Sequence, residues 1–251
     1  MNFFVDPNIS LAQTLDTSFY LKEDFFEQSK EKIFAKGWHF IGDTDQVKEK
    51  GWATPVNLLE GFLNEPLILV KDKNETLHCL SNVCTHRGNI VVERPCQLND
   101  FRCKYHGRRF HLNGKFLSMP EFKEVQNFPS PEDDLHRLPL FTWGKWLFAS
   151  LTSQFHAKEF LQPMMDRIGW MPFSDFVFHP ELSKEYVVNA HWALYCENYL
   201  EGFHIPFVHT GLNSVIDYGN YSIELFQYSS LQLGIAKEGE LIFDLPPASP
   251  D

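Results

Sequence analysis

The sequence lacks any uninterrupted apolar stretch long enough to cross a bilayer, which argues against a membrane protein. It also lacks a basic excess, because 22 Lys and Arg stand against 33 Asp and Glu, for a formal net charge of −11. That charge argues against a nucleic-acid backbone as partner. The start of the chain has neither the basic nor the apolar segment of a secretory signal. We therefore expect a cytoplasmic protein.

Cysteine is scarce, with five residues among 251. In a reducing compartment these thiols are better interpreted as metal ligands or core residues than as disulfides. The 43% hydrophobic and 22% charged content is ordinary for a globular protein, and the length allows one large domain or two modest ones.

The residue pattern changes twice along the chain. Apolar residues at helical spacing predict a helix over about 18–36, which Thr17 or Ser18 can cap and Gly37 ends. From about 38 to 155, short strands predict a mostly antiparallel β domain, with hairpin turns at 72–75 and at Asn113-Gly114. Residues 120–140 are predicted to form a long surface loop.

A second domain is expected to begin after about residue 156. The pattern predicts strands at 185–188, 223–233 and 240–243 and a helix from His191 to about Glu201.

Two short loops carry metal-ligand side chains, as Cys84-x-His86 and, sixteen residues further on, Cys103-x-x-His106. Two thiolates can hold one iron of a [2Fe–2S] cluster and two imidazoles the other. A glycine follows each loop, which lets backbone N–H groups approach the cluster. The alternatives are a chance placement of core Cys and His residues and a structural zinc site, although zinc motifs usually group Cys with Cys and His with His.

A second constellation lies in the run from Glu197 to His209. His204 and His209 are five residues apart, which on a regular helix would turn their side chains roughly 140° from each other. Pro206 between them is predicted to interrupt the helix and let His209 swing back toward His204. Glu201 shares a face with His204. Two His and a carboxylate are typical of non-heme Fe(II) oxygenases, whereas buried, hydrogen-bonded histidines are the alternative.

Together these segments resemble the large subunit of Rieske non-heme iron oxygenases, also called ring-hydroxylating oxygenases. The resemblance covers nearly the whole chain. It implies a Rieske [2Fe–2S] cluster held by Cys84, His86, Cys103 and His106, and a mononuclear Fe(II) held by His204 and His209.

The resemblance also implies a role for Glu201 as the catalytic bridging carboxylate, which links the iron-binding His of one subunit to His106 of its neighbour. The resemblance further implies a ring of subunits, usually a homotrimer, and a separate NAD(P)H-dependent reductase. The substrates would be O2 and a small organic molecule. Many aromatic-ring dioxygenases have Asp at this bridging position. With Glu there, this chain is more similar to the branch that oxidises choline, carnitine or betaines.

The chain departs from the family pattern at three points. The family often has Pro after the second cluster Cys and Trp after the final Gly, where this chain has Lys104 and Arg108. The third iron ligand of the family is an Asp well downstream of the His pair. The carboxylates available here are Asp217, Glu224 and Asp244, and none of them lies in the expected sequence context. We therefore expect a C-terminally truncated catalytic domain.

The expected fold class is α+β. An N-terminal helical segment (1–37) would pack on the catalytic domain, an antiparallel Rieske domain would span 38–156, and a partial, helix-grip-like catalytic domain with an antiparallel sheet would span 157–251. The expected function is that of a terminal oxygenase component, which hydroxylates or demethylates a small molecule. The alternatives are a Rieske electron-transfer protein without catalysis and a zinc-binding structural module.

Overall fold

The structure, a computed structural model, describes residues 3–242. Its helices are α1 Ser18–Leu21, α2 Glu23–Lys32, α3 Ala157–Ile168, α4 Trp192–Tyr199, α5 Ile205–Val208 and α6 Thr210–Val215. Its strands are β1 His39–Asp43, β2 Trp52–Leu58, β3 Glu65–Lys71, β4 Leu77–Ser81, β5 Cys96–Gln97, β6 Phe101–Arg102, β7 Arg109–Phe110, β8 Phe116–Ser118, β9 Leu140–Trp143, β10 Trp146–Ala149, β11 Ile216–Leu225 and β12 Ser230–Ala236. None of the helices in this range combines the length and apolar character needed to span a bilayer.

The described residues group into two compact units. The β-rich unit comprises Lys30–Lys158 and holds three antiparallel sheets, in the orders β1-β10-β9, β4-β3-β2-β5 and β6-β7-β8. The split unit combines the described residues before Lys30 with those after Lys158 and contains the antiparallel hairpin β11-β12. The predicted α+β class with antiparallel sheets is therefore confirmed. The predicted domain borders at 37/38 and 156/157 stay predictions.

Strand β3 explains how the β-rich unit builds a core on both faces of one sheet. Its apolar run is buried throughout, and its side chains alternate between two hydrophobic clusters. Ile68 and Val70 pack in the cluster that also contains Cys84 and Cys103. The two thiols of the candidate cluster motif are thus part of a hydrophobic core rather than of a surface loop.

Both predicted hairpins of the β-rich unit are present. Strands β3 and β4 pair antiparallel, and the Asp72 carboxylate accepts hydrogen bonds from the Asn74 and Thr76 N–H groups in the turn. Strands β7 and β8 flank the Asn113-Gly114 turn, where Gly114 alone has a positive φ, of +88°. The turn therefore ends in a left-handed glycine instead of using positive φ at both residues.

The predicted N-terminal helix is present in shorter pieces. Lys22 adopts an extended conformation that separates α1 from α2, and a 3-10 turn at Phe34–Lys36 leads to Gly37. Neither predicted cap is used, because the Asp16 carboxylate accepts the hydrogen bond from the Ser18 N–H group. The predicted surface loop at 120–140 contains a 3-10 turn at Pro131–Asp133.

The strand predictions for the second half of the chain are partly wrong. Residues 185–188 are exposed and pair with no described strand. Their apolar, β-branched pattern cannot form a ladder without a neighbouring strand. The segment 223–233 is not one strand but the end of β11, a turn at 226–229 and the start of β12, and residues 240–242 are not in a strand. Phe243 and Asp244 lie outside the described residues.

Candidate metal centres

The first ligand loop is closed by two backbone hydrogen bonds. The Cys84 N–H group donates to the Asn89 carbonyl at 2.9 Å, and the Gly88 N–H group donates to the Cys84 carbonyl at 3.0 Å. Gly88 has a φ of +69°, a left-handed conformation that a side chain would strain. The glycine therefore lets the chain reverse direction directly after His86.

The second ligand loop has the same backbone frame. The Cys103 N–H group donates to the Arg108 carbonyl at 2.8 Å, and the Gly107 N–H group donates to the Cys103 carbonyl at 3.0 Å. Gly107 has a φ of +72°, close to that of its counterpart. The two loops thus present one Cys and one His each from equivalent turns, although the Cys–His spacing differs by one residue.

The four predicted cluster side chains come together. Cys84 and Cys103 are 3% and 1% exposed and belong to the same hydrophobic cluster. The His86 and His106 rings lie with their centroids 4.7 Å apart and their planes at 72°. The two loops therefore bury their thiols in one hydrophobic cluster and bring their imidazole rings together.

The second predicted site is assembled around the single helical turn α5. His204 immediately precedes this turn and His209 immediately follows it, and their ring centroids are 5.0 Å apart. Pro206 is in the first turn of α5, where proline is tolerated because no backbone donor is lost. The predicted proximity of the two rings is therefore present, but Pro206 lies in the first turn of the short helix between them instead of interrupting a longer helix.

Glu201 contacts His204 directly. One carboxylate oxygen, Oε1, is hydrogen-bonded to Nδ1 of His204, and the other, Oε2, accepts a hydrogen bond from the Phe203 N–H group at 2.5 Å. The hydrogen bond with His204 is the main reason why the pKa of Glu201 lies below its usual value. The contact arises in the connection after α4, because α4 ends at Tyr199.

Comparisons with known proteins identify the β-rich part of the chain. The model of the Rieske [2Fe–2S] domain matches residues 37–129. This segment is a Rieske domain. It contains both ligand loops, and the family implies a [2Fe–2S] cluster as the cofactor.

Relatives extend the similarity beyond the Rieske domain. The chain is 29% identical to the chloroplastic choline monooxygenase of Arabidopsis thaliana, over 95% of this chain and 59% of that protein. It is 24% identical to the carnitine monooxygenase oxygenase subunit of Escherichia coli K12, over 96% of this chain and 64% of that protein. The homology thus favours the quaternary-ammonium branch of the Rieske oxygenases, while the chain spans under two thirds of these relatives' length.

Solved structures show the same fold. A quaternary ammonium Rieske monooxygenase, described in connection with carnitine oxidation by gut microbiota, superposes with a TM-score of 0.72 at 21% identity, over 94% of this chain and 66% of that one. Naphthalene 1,2-dioxygenase from Rhodococcus sp. superposes with a TM-score of 0.62 at 20% identity, over 80% and 47%.

The donor atoms of the Rieske domain fit a [2Fe–2S] cluster. Nδ1 of His86 is buried and has no hydrogen-bond partner within residues 3–242, as expected for a nitrogen that serves as a metal ligand. Burial, followed by the charges of His106, Arg87 and Arg108, lowers the pKa of His86. A lowered pKa favours the neutral imidazole, the form that binds iron.

The arrangement does not fit a structural zinc ion. Zinc holds four ligands around one centre. No group of three or more His, Cys, Asp and Glu side chains is placed to hold one metal ion in the part of the chain that the structure describes. The Rieske match favours a cluster with two protein ligands on each of two bridged irons over the zinc-binding module.

The carboxylates considered as a third iron ligand are engaged elsewhere or not described. Asp217 accepts hydrogen bonds from the Gly219 N–H group and the Asn220 side chain. Glu224 forms an ion pair with Arg167 at 2.5 Å. Asp244 lies outside the described residues. Between residues 3 and 242, His204 and His209 thus have no third His, Cys, Asp or Glu side chain placed to share a metal ion with them.

Two side chains that support the ligand loops were missed by the sequence reasoning. Asn82 is buried; its amide donates to the Val92 carbonyl, and its side-chain oxygen accepts from the Val91 and Val92 N–H groups. It thereby fixes the chain on either side of the first loop. Arg108 is also buried, although only its departure from the family's Trp hinted at a special environment.

Proposed function

We propose that this chain belongs to the terminal oxygenase component of a Rieske non-heme iron oxygenase. Cys84, His86, Cys103 and His106 would hold the [2Fe–2S] cluster in a domain spanning 38–156. His204 and His209 would hold a mononuclear Fe(II) in a domain that starts at 157. One observation carries the proposal: a chain with a Rieske domain also holds two imidazoles 5.0 Å apart, one of them bound to a carboxylate.

The side chains around the second site would prepare His204 for iron. Because Glu201 bonds to Nδ1, the proton is held on that nitrogen and Nε2 is left free for a metal. The carboxylate is itself held by the Phe203 N–H group, so the imidazole has a defined orientation. When bound, the cluster supplies single electrons and the Fe(II) supplies activation of O2.

The substrate class that we propose is a quaternary ammonium compound. Choline monooxygenases and carnitine monooxygenase oxygenase subunits are among the relatives with 24–29% identity over at least 88% of this chain. The reaction would be hydroxylation or oxidative demethylation with O2. Electrons would come from a separate NAD(P)H-dependent reductase.

Glu201 would serve as the bridging carboxylate between subunits of a homotrimer. His106 is exposed, so the ring is accessible to a neighbouring subunit. A carboxylate can accept a hydrogen bond from an imidazole on each side, which gives a short, ordered contact between two metal sites. A cytoplasmic location stays a prediction.

Metal content tests the proposal directly. We expect the anaerobically prepared chain to hold about three irons, with acid-labile sulfide for one cluster. Cys84→Ser should remove about two irons and all sulfide, whereas His204→Ala should remove about one iron and leave the sulfide. The exposed residues Cys196 and His179 offer control variants, Cys196→Ser and His179→Ala, which should change neither.

A second candidate is an electron carrier without catalysis, favoured by the lack of a third iron ligand within residues 3–242. About two irons in the wild type and no loss in His204→Ala would identify the carrier. Oxygen consumption with choline or carnitine, a reductase and NADH would identify the oxygenase.

A further inference from the structure

Arg108 is a buried cation inside the Rieske domain. The residue is 2% exposed, and one terminal nitrogen bonds to Oδ1 of Asp133 at 2.5 Å and to the Asp133 carbonyl at 3.2 Å. The guanidinium carbon lies 5.7, 5.1 and 5.6 Å from the ring centroids of Phe110, Phe116 and Phe128. An ion pair and three aromatic rings thus define its position.

The Nε–H donor of this guanidinium takes no part in the hydrogen bonds to Asp133. Nε of Arg108 is buried and has no hydrogen-bond partner among the described residues. Buried donors are nearly always paired, and an unpaired one calls for an acceptor that the polypeptide does not supply. The sulfurs of an iron–sulfur cluster are acceptors of this kind.

Arg108 is close to the ligands in sequence and in the backbone frame of the second loop. It lies two residues after His106. Its carbonyl closes the second ligand loop through the hydrogen bond from the Cys103 N–H group. The guanidinium therefore belongs to a residue that is part of the loop carrying two of the four ligands.

Asp133 connects the arginine to the first loop. Its carbonyl accepts a hydrogen bond from the Thr85 hydroxyl at 2.7 Å, between the ligands of that loop. Its carboxylate oxygen Oδ2 accepts from the Ser130 N–H group at 2.7 Å, which anchors it in the capping box of a 3-10 turn. Asp133 thus contacts both Arg108 and the first ligand loop, and its own position is defined by Ser130.

We propose that Arg108 is a positioning residue that raises the reduction potential of the bound [2Fe–2S] cluster, with Asp133 as its anchor and partial counter-charge. The inference rests on the proposed cluster ligands. Uptake of one electron makes the cluster more negative, and a buried cation with a free N–H donor favours that state. Asp133 weakens the effect because its negative charge opposes that of the arginine.

A redox titration of the cluster in the full chain tests the proposal, followed by visible circular dichroism and by the EPR signal of the reduced state. We expect Arg108→Met to shift the midpoint potential to a more negative value, and Asp133→Asn to shift it to a more positive one. Arg108→Lys keeps the charge but loses the Nε–H donor, so its potential should lie between those of the wild type and Arg108→Met.

The matched control is Arg109→Met. Arg109 is adjacent in sequence, but its side chain is 44% exposed and bonds to Asp100. We expect this variant to leave the potential unchanged. A merely structural role of Arg108 would not give shifts of opposite sign in the arginine and aspartate variants, because damage to the loop acts in the same direction in both.

The outcomes separate this inference from the proposed function. A wild-type chain that binds no cluster overturns both. A wild-type chain with a cluster, whose potential is the same in Arg108→Met as in Arg109→Met, overturns the role of Arg108 alone. Shifts of the same sign in Arg108→Met and Asp133→Asn also overturn it. Should Arg108→Met fail to fold, Arg108→Lys and Asp133→Asn carry the test, with a negative and a positive shift expected.

Discussion

Individual side chains at both candidate sites leave particular atoms available for metal. His86 has a buried Nδ1 without a hydrogen-bond partner among the described residues, in a ring whose pKa is lowered by burial. His204 has the opposite arrangement, because its Nδ1 is bonded to Glu201 and its other nitrogen is left for a ligand role. The two histidines would therefore bind their metals through different ring atoms.

Glu201→Gln tests the support of His204 at the residue scale. The amide can still accept a hydrogen bond, but without the negative charge that strengthens it. We expect the affinity of the site for Fe(II) or Co(II) to fall by roughly 10- to 100-fold, as is typical when a group behind a metal-binding His is changed. An anaerobic metal titration of the cluster-loaded chain would measure it.

Glu185→Gln is the matched control, because Glu185 is exposed and lies outside the helices and strands. An unchanged affinity in Glu201→Gln, with Fe(II) still lost in His204→Ala, would contradict the supporting role of the carboxylate.

Among the elements, the hairpin β7-β8 directly follows the second ligand loop. Its turn residue Gly114 has a φ of +88°, and its carbonyl accepts a hydrogen bond from the Leu135 N–H group at 2.8 Å. A Cβ atom at this position would lie 3.0 Å from Cδ2 of Leu80 and 3.2 Å from the Leu135 carbonyl oxygen. Both the backbone conformation and the packing therefore require glycine.

We expect Gly114→Ala to destabilise the β-rich unit more than Gly61→Ala does. Gly61 has a similar φ of +76°, but a Cβ atom there would enter open space, with no contact within 4 Å among the described residues beyond its chain neighbours. Its substitution therefore adds only backbone strain of about 1–2 kcal/mol. Crowding at Gly114 should add roughly 1–3 kcal/mol. Urea denaturation of both variants measures the free energies of unfolding, and equal values would show that packing at Gly114 is relaxed.

At the scale of the whole molecule, burial is unevenly distributed between the two units. Strand β3 alone contributes four apolar residues with no exposure, Leu67, Ile68, Leu69 and Val70. In the described residues after Lys158, the buried hydrophobic side chains are Leu161, Phe173, Ala193 and Ile205. The free energy that resists local opening should therefore be concentrated in the β-rich unit.

Hydrogen exchange measured by mass spectrometry should reveal this difference. We expect the amides of β3, which pairs with a strand on each side, to exchange slowest, and those of the hairpin β11-β12 to exchange faster. Equal protection in the two segments would mean that the burial of side chains does not govern opening in this protein.

The ion pair between Asp100 and Arg109 makes the free energy of unfolding of the β-rich unit depend on pH. The hydrogen bonds from Arg109 hold the pKa of Asp100 below its usual value of 3.8. A carboxyl with a lowered pKa in the folded state stabilises that state above about pH 4, and this contribution is lost as the pH falls through the folded-state pKa. Because the arginine is partly exposed, we expect less than about 1 kcal/mol from it.

Asp100→Asn should therefore flatten the dependence of stability on pH. We expect the loss in free energy of unfolding between about pH 5 and pH 3 to be smaller in the variant than in the wild type. Glu60→Gln, at an exposed position of the same unit, serves as the control. An identical slope in the wild type and Asp100→Asn would mean that the pair with Arg109 also persists in the unfolded chain.

The sequence by itself determined the features that depend on local spacing. The ligand loops follow from one Cys, one His and a left-handed glycine within a few residues, and the hairpins follow from short polar turns between apolar strands. The relation of Glu201 to His204 was also predictable, because three residues of sequence limit how far apart the side chains can be. These features need no information about distant parts of the chain.

Only the tertiary structure decided the features that depend on distant partners. The burial of Arg108 requires Asp133, 25 residues away, and the aromatic rings around it. Residues 185–188 have the composition of a strand, yet they pair with no described strand. A local pattern states which environment a side chain favours, whereas the folded chain decides whether that environment is present, since the partner comes from elsewhere in the sequence.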